Sequence, residues 1–393
     1  MTRTCIVNIG QLVTPTPSGW EVSVTQEDLL IEEGKITGIG GILPDLGDIV
    51  IDANGGAVLP GFVDAHTHLG FGGSRLDEFA RRAAGETYQE IAASGGGIRA
   101  SIEATRAMLG DVGSGLAHIQ RQLNRHHRMG TTTVEGKTGY ALRLNDEIRL
   151  LKLYRDAGII PTFLGLHAVP PEFHGDREGF VREVCEVWVP AVAGLAKYVD
   201  AFIEPGYFTH DDARQLAVAA RKEGLDLRLH VDQITESGGA QLAAELGAVT
   251  ADHLEQTTTE GILALAAAGV QPVLLPASVL LLGASRYPNA RAMIEAGLEV
   301  VLATDFNPGS SPTVSMPLII TLAMTQMKMS AEECLVASTR NAAKSLGLHD
   351  RGRIAPGQRA DLAIWPVKDW REIAYWAGEI RPSCVIVGGD DVT

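Results

Sequence analysis

Ala57-Val58-Leu59-Pro60-Gly61-Phe62-Val63-Asp64-Ala65-His66-Thr67-His68 is the stretch on which the reading of this chain turns. It is an apolar, strand-like run ending in two histidines one residue apart. In extended backbone, side chains alternate between faces, so His66 and His68 point the same way and can reach a single cation. A His-x-His pair alone is a weak signal, but the placement recurs. His230 closes Leu225-Asp226-Leu227-Arg228-Leu229, His253 follows Ala248-Val249-Thr250-Ala251-Asp252, and Asp305 follows Val300-Val301-Leu302-Ala303-Thr304. Four times a metal-competent group sits just beyond a short β-like run.

Working outward, eight such runs cover residues 58–64, 131–135, 161–166, 199–203, 225–229, 248–251, 271–275 and 299–303. Between them, residues 211–223, 238–246, 259–268 and 289–296 carry apolar residues three and four apart, the helical period. Alternating strands and helices place the chain in the α/β class, and eight units predict a (β/α)8 TIM barrel, whose catalytic groups gather from many strands at one rim. A doubly wound open sheet would not collect ligands from the first, fifth and eighth strands. Residues 69–130 are too long for a simple crossover and predict extra helices with a substrate-facing loop. The ends differ. Short β-prone pieces at 21–24, 28–31, 35–39 and 48–51 are separated by glycine-rich turns, and 359–365 and 383–387 resume the pattern. We therefore expect a small β-sandwich domain from residues 1–56 and 351–393, and a barrel domain from residues 57–350.

Composition narrows the partners. The chain has 393 residues, 45% of them hydrophobic, enough for a large core. No apolar run is long enough to span a bilayer, and the N-terminus lacks a signal-peptide profile. The four cysteines, Cys5, Cys185, Cys334 and Cys384, have neither metal-ligand nor disulfide-framework spacing, which fits a cytoplasmic protein. A net charge of −15 disfavours nucleic acid and anionic membranes. The expected partner is a small-molecule substrate, and the expected assembly a two-fold homodimer.

Three imidazoles and a carboxylate, His66, His68, His230 and Asp305, suit one divalent metal ion, Zn2+ or Fe2+, with a position left for water. Such an ion brings the pKa of water towards about 7 and polarises a carbonyl, so the expected reaction is hydrolysis. Asp305 would take the proton of the attacking water and pass it to the leaving nitrogen, and His253, outside the ligand set, would hold the developing oxyanion.

Narrower segments add a resemblance: Phe71-Gly72-Gly73-Ser74-Arg75, Gly95-Gly96-Gly97-Ile98, Gly139-Tyr140, His167-Ala168-Val169-Pro170-Pro171-Glu172, Asp252-His253-Leu254-Glu255 and Asp305-Phe306-Asn307-Pro308-Gly309-Ser310. With the histidine pair, they make the chain similar to metal-dependent amidohydrolases and, within them, to the imidazolonepropionases of histidine degradation, over essentially its full length. The resemblance implies ring opening of 4-imidazolone-5-propanoate to N-formimidoyl-L-glutamate. It implies substrate contacts at Arg75, Tyr88, Tyr140 and His167, with Arg75 a planar, permanently charged fork for the propionate carboxylate. Asn307, Gly309 and Ser310 are expected to offer donors to substrate or product.

Two departures bear on the chemistry. Gln233 is an amide where related amidohydrolases often carry a glutamate; it can orient the ring through a donor and an acceptor but cannot shuttle a proton, which argues against deamination. Lys137 follows the second strand rather than the fourth, so it is not expected to bridge two metals as a carbamate. The adjacent His126 and His127 lie in a polar helical stretch and receive no role. The alternative substrate is a related ring, a hydantoin or thio-imidazolone propionate, with differences expected in the loop at residues 279–285.

Overall fold

A computed structural model describes every residue except 1–2, 42–46, 87–89 and 91–95. Tyr88 and Gly95 therefore lie outside the described residues. Eight parallel strands, Phe62–Asp64, Thr131–Lys137, Ile160–Leu166, Tyr198–Ile203, Asp226–Val231, Thr250–His253, Gln271–Leu274 and Val301–Leu302, pair in sequence order. The sheet closes just past the ends of its first and last strands. Thr67 bridges Phe306 in parallel, the His68 amide donates to the Phe306 carbonyl at 2.9 Å, and the Asp305 amide donates to the His66 carbonyl at 3.0 Å. Two of the expected ligand segments thus form the seam of the barrel.

The crossover helices follow the expected periodicity. His210–Lys222 begins at a capping box in which Thr209 and Asp212 satisfy each other's backbone amides. Gly239–Leu246 ends on Gly247, and Thr259–Ala268 on Gly269, both at left-handed φ, the conformation that halts a helix without a Cβ clash. The long excursion carries Leu76–Ala83, Ile98–Leu109 and Val112–His127.

The terminal segments form two further sheets. A four-stranded sheet orders Lys35–Ile39, Leu29–Glu32, Arg3–Val7 and Ile49–Asp52, and a six-stranded one orders Asp390–Asp391, Cys384–Val387, Leu362–Trp365, Ala57–Pro60, Gln11–Pro15 and Val22–Thr25. Ile6, Leu12, Leu29, Ile31, Val58, Leu362 and Ile386 meet in one buried cluster that joins them as a sandwich.

Three readings are corrected here. Residues 58–64 are not one strand: Ala57–Pro60 pairs antiparallel with Leu362–Trp365, and only Phe62–Asp64 enters the barrel. Gly61 makes the break, because a Cβ there would collide with Thr132 of the second barrel strand. Ala57–Pro60 therefore belongs to the terminal sheets, beyond the expected boundary at residue 56. Arg3–Val7 and Gln11–Pro15, absent from the strand pattern read above, are paired strands. Part of residues 279–285 is helical rather than loop, since Pro276–Leu282 is a helix opened by proline in its first turn.

Candidate metal centre and active site

His66, His68, His230, His253 and Asp305 converge at the carboxyl ends of the first, fifth, sixth and eighth strands, and all are buried. Ring centroids of His66 and His230 lie 4.5 Å apart, those of His66 and His68 5.3 Å, and those of His68 and His230 5.6 Å. Asp305 Oδ1 is 3.4 Å from His68 Nε2 and 3.6 Å from His66 Nε2. Potential ligand atoms of His66, His68 and His230 lie within 4.8 Å of one another, as do those of His66, His253 and Asp305. Thr67, pointing the other way, donates its hydroxyl to the Glu135 carbonyl at 2.7 Å, so strand alternation separates the two histidines from the residue between them.

Ring orientation tests whether the group suits a cation. His66 Nδ1 donates to Asp252 Oδ2 at 2.6 Å, and His230 Nδ1 donates to Asp200 Oδ1 at 3.0 Å. Both carboxyl groups are held below the usual carboxylate range. Burial opposes this, but Lys137 and Arg228 outweigh it at Asp252, and His230 and Lys137 at Asp200. An ionised carboxylate only accepts, so each imidazole puts a proton on Nδ1 and turns Nε2 inward. The Nε2 atoms of His66 and His230 are buried with no hydrogen-bond partner among the described residues. Orphaned lone pairs on buried imidazoles are costly unless something accepts them, and a divalent ion does. Burial, reinforced at His66 by the Lys137 charge, pulls the pKa values of His66 and His68 down and keeps the rings neutral. Asp305 is lowered despite burial, through the His68 contact and the His253 charge, and is ionised. The donor set fits a divalent cation.

Beneath this layer lies a network that the sequence did not reveal. Lys137 Nζ, wholly buried, is 2.7 Å from Asp200 Oδ2, 3.0 Å from Glu135 Oε1 and 3.5 Å from Asp252 Oδ2. Asp200 and Glu135 raise its pKa against the pull of burial, so it is an ammonium. One cation thereby ties together the two carboxylates that orient His66 and His230. Arg228 donates to the Ala65 and Ser345 carbonyls at 2.9 and 3.2 Å and approaches Asp252 at 3.8 Å. Asp200 and Arg228 lie inside runs that read simply as apolar, and Lys137 just past another; those charges were the signal in the sequence. His126 is also fully buried rather than on a polar face, its Nδ1 donating to the Gln122 carbonyl at 2.8 Å and its Nε2 3.7 Å from Asp64.

Above the histidines opens a cavity of about 440 Å³, lined among others by Arg75, Tyr140, His167, Gln233, Asn307, Gly309 and Ser310. Arg75 is buried, its Nε donating to Ser101 Oγ at 3.0 Å. A Cβ on Gly309 would collide with Arg75 Nη1, so glycine is what lets the fork lie against this loop. His167 donates from Nδ1 to the Gly139 carbonyl at 2.8 Å and stacks on His68 with centroids 5.6 Å apart. Burial pulls its pKa down to about 3, so it presents a neutral ring. Tyr140 packs edge-on against His68 and His167. Gln233 rides on a turn held by Glu204, which accepts from the Ile234 amide at 2.7 Å and the Thr235 hydroxyl at 2.7 Å, and by Asp232 at φ +52°.

The Asn307 segment is tied together by its own hydrogen bonds. Asn307 Oδ1 accepts from the amides of Gly309 and Ser310, both at 2.8 Å, and Nδ2 donates to the Asp305 carbonyl at 2.7 Å and to Ser310 Oγ at 2.8 Å. Ser310 Oγ in turn donates to Asp305 Oδ2 at 3.3 Å. These bonds fix Asp305 and hold the loop on which Gly309 seats Arg75 at the cavity wall.

The profile of the amidohydrolase family matches residues 57–392. Among solved structures, guanine deaminase from C. acetobutylicum superposes with a TM-score of 0.71 at 16% identity, over 100% of both chains. Atrazine chlorohydrolase from Arthrobacter aurescens TC1, complexed with zinc, superposes with a TM-score of 0.67 at 18% identity, over 99% of this chain and 95% of that one. At such identities these share the fold. Nearer in sequence, imidazolonepropionase of Solibacter usitatus (strain Ellin6076) is 48% identical over 100% of this chain and 99% of its own. That of Paracoccus denitrificans (strain Pd 1222) is 40% identical over 98% and 99%. A buried three-histidine and aspartate cluster at the rim of an eight-stranded barrel, with relatives this similar along the whole chain, makes this protein a member of the amidohydrolase family and, within it, of the imidazolonepropionases.

Proposed function

We propose that this chain opens the ring of 4-imidazolone-5-propanoate hydrolytically to N-formimidoyl-L-glutamate, with His66, His68, His230 and Asp305 holding one divalent ion, zinc or ferrous iron. The observation that carries the metal reading is the pair of buried Nε2 atoms on His66 and His230 without a hydrogen-bond partner among the described residues, each fixed by a carboxylate on the far side of its ring. When bound, the ion would supply acidification of water and polarisation of the ring carbonyl. Asp305, ionised at the cavity floor, is positioned to accept a proton from water and return it to the nitrogen released as the ring C–N bond breaks. His253 is raised in pKa because the Glu255 charge and hydrogen bond, with Asp305, outweigh burial, and it can donate to the oxygen on which charge develops. The Arg75 guanidinium at the cavity wall suits the propionate carboxylate. Neutral His167, Tyr140 and the Gln233 amide shape the ring's seat, and Tyr88 belongs to the same set by sequence resemblance.

Gln233 also weighs against deamination, since an amide cannot take up and release a proton as a carboxylate does. None of the four cysteines forms a disulfide among the described residues, which supports a reducing, cytoplasmic setting. Among the described residues, no helix is long and apolar enough to cross a membrane. The deciding experiment incubates metal-analysed protein with freshly prepared imidazolone propionate and follows loss of the ring chromophore. Hydantoin and thio-imidazolone propionates serve as controls. Turnover of imidazolone propionate that is abolished by chelation and restored by zinc or ferrous iron is expected; preference for a control ring would overturn the substrate assignment. Sedimentation of the same sample checks the proposed homodimer.

A further inference from the structure

Of the described residues lining the cavity, only Asp305 and Glu255 carry carboxylates. Asp305 is accounted for, whereas Glu255 is not. It is buried at 5% exposure, with Oε1 3.3 Å from His253 Nδ1 and 3.4 Å from Ser278 Oγ, and with Oε2 lacking a partner among the described residues. Ser278 Oγ has a nearer acceptor in the Leu275 carbonyl at 2.7 Å, so the histidine is the carboxylate's principal contact.

The backbone is bent to make this meeting. His253 and Leu254 both lie at positive φ, +83° and +68°, consecutive non-glycine residues in a region that disfavours a Cβ. Such strain persists where the surroundings over-determine it, characteristically at functional sites. Here the double turn carries the chain out of the sixth strand and folds the carboxylate of residue 255 back onto the imidazole two positions earlier. With Nδ1 thus engaged, Nε2 is the nitrogen left for the cavity, and a ring nitrogen of His253 lies within 4.8 Å of the potential ligand atoms of His66 and Asp305.

We infer that Glu255 is the positioning residue of His253: it accepts from Nδ1–H and fixes the ring so that Nε2–H faces the reacting oxygen, acting on the rate of the chemical step rather than on substrate affinity. This rests on the role proposed above for His253. It is the carboxylate–imidazole arrangement by which a neighbouring acid sets tautomer and orientation without itself touching substrate.

The test compares Glu255→Leu, Glu255→Asp and Glu255→Gln. Leu removes the acceptor, and Asp withdraws it by a methylene. Gln keeps a carbonyl oxygen that can accept from Nδ1–H. For Leu and Asp, kcat is expected to fall by about tenfold or more with KM within about twofold, while Gln, which keeps the acceptor but not the charge, falls less than either. Should the Leu variant fail to fold, the Asp and Gln pair carries the comparison. The second readout needs no turnover. In 15N-histidine-labelled protein, the His253 resonances, assigned by their loss in His253→Asn, are expected to report an Nδ1-protonated ring in wild type and Gln and a changed ring-nitrogen pattern in Leu and Asp. Undiminished kcat in the Asp variant, or an unaltered His253 signal, overturns the proposal. If wild-type protein leaves imidazolone propionate untouched, the substrate reading fails, yet the tautomer measurement still decides what Glu255 does.

Discussion

Replacing Lys137 by methionine removes the cation from the centre of the buried network while keeping an unbranched side chain of similar length. At an effective dielectric of about 20, the 2.7 and 3.0 Å contacts to Asp200 and Glu135 each represent roughly 5–6 kcal/mol of gross attraction. Most of that is offset by the several kcal/mol needed to desolvate an ammonium, so the net effect is the cost of leaving buried carboxylates uncompensated, about 3–5 kcal/mol. Unfolding entropy of about 2.1 cal/mol/K per residue gives roughly 0.8 kcal/mol/K for a chain this long, so Tm should fall by about 4–6 °C. Loosening of Asp200 and Asp252 should also free the His66 and His230 rings, weakening metal affinity by about 10–100-fold. Differential scanning calorimetry reads the first effect, and competition against a chromophoric chelator the second. A Lys137→Met protein that melts like wild type and holds its metal as tightly would refute the view that the ammonium organises the site.

Asp305→Asn preserves the side-chain shape but not the base, and kcat should fall by about 100-fold or more with little change in Tm. Arg75→Ala should raise KM for imidazolone propionate by about 10–100-fold, as expected for losing a charge-assisted contact, and leave a tail-less imidazolone unaffected. Gly309→Ala should raise the same KM by less, because the added methyl meets the movable end of that guanidinium. Burial pushes the Cys185 and Cys384 thiols up to about 11. A raised thiol pKa favours the unreactive neutral form, so at pH 8 only about one thiol in a thousand is thiolate, and native iodoacetamide labelling should climb about tenfold per pH unit between 8 and 10. Mass spectrometry of the adducts checks this, and rapid labelling of either residue at pH 7 would contradict it.

Period and position along the chain were enough to announce the barrel and its metal group. Eight apolar runs with helical patterns between them can bury their faces only by closing around one another, and ligands placed after four of these runs must then share a rim. Strand alternation set His66 and His68 on one face before any tertiary contact was known. Other features depend on contacts between segments remote in sequence. The split of residues 58–64 is decided by Thr132 crowding Gly61 and by Leu362–Trp365 pairing with Ala57–Pro60, partners 71 or more positions away. Asp200 and Arg228 sit within runs that read as apolar, and Lys137 and Asp252 just past two others; only when the second, fourth, fifth and sixth strands converge in the barrel do they become a network that fixes two imidazoles. Both ends of the Asn307 amide, similarly, find their partners only once its loop closes. Local order thus determined which groups could bind a metal, while their protonation, orientation and mutual support arose from burial among neighbours that the linear order keeps apart.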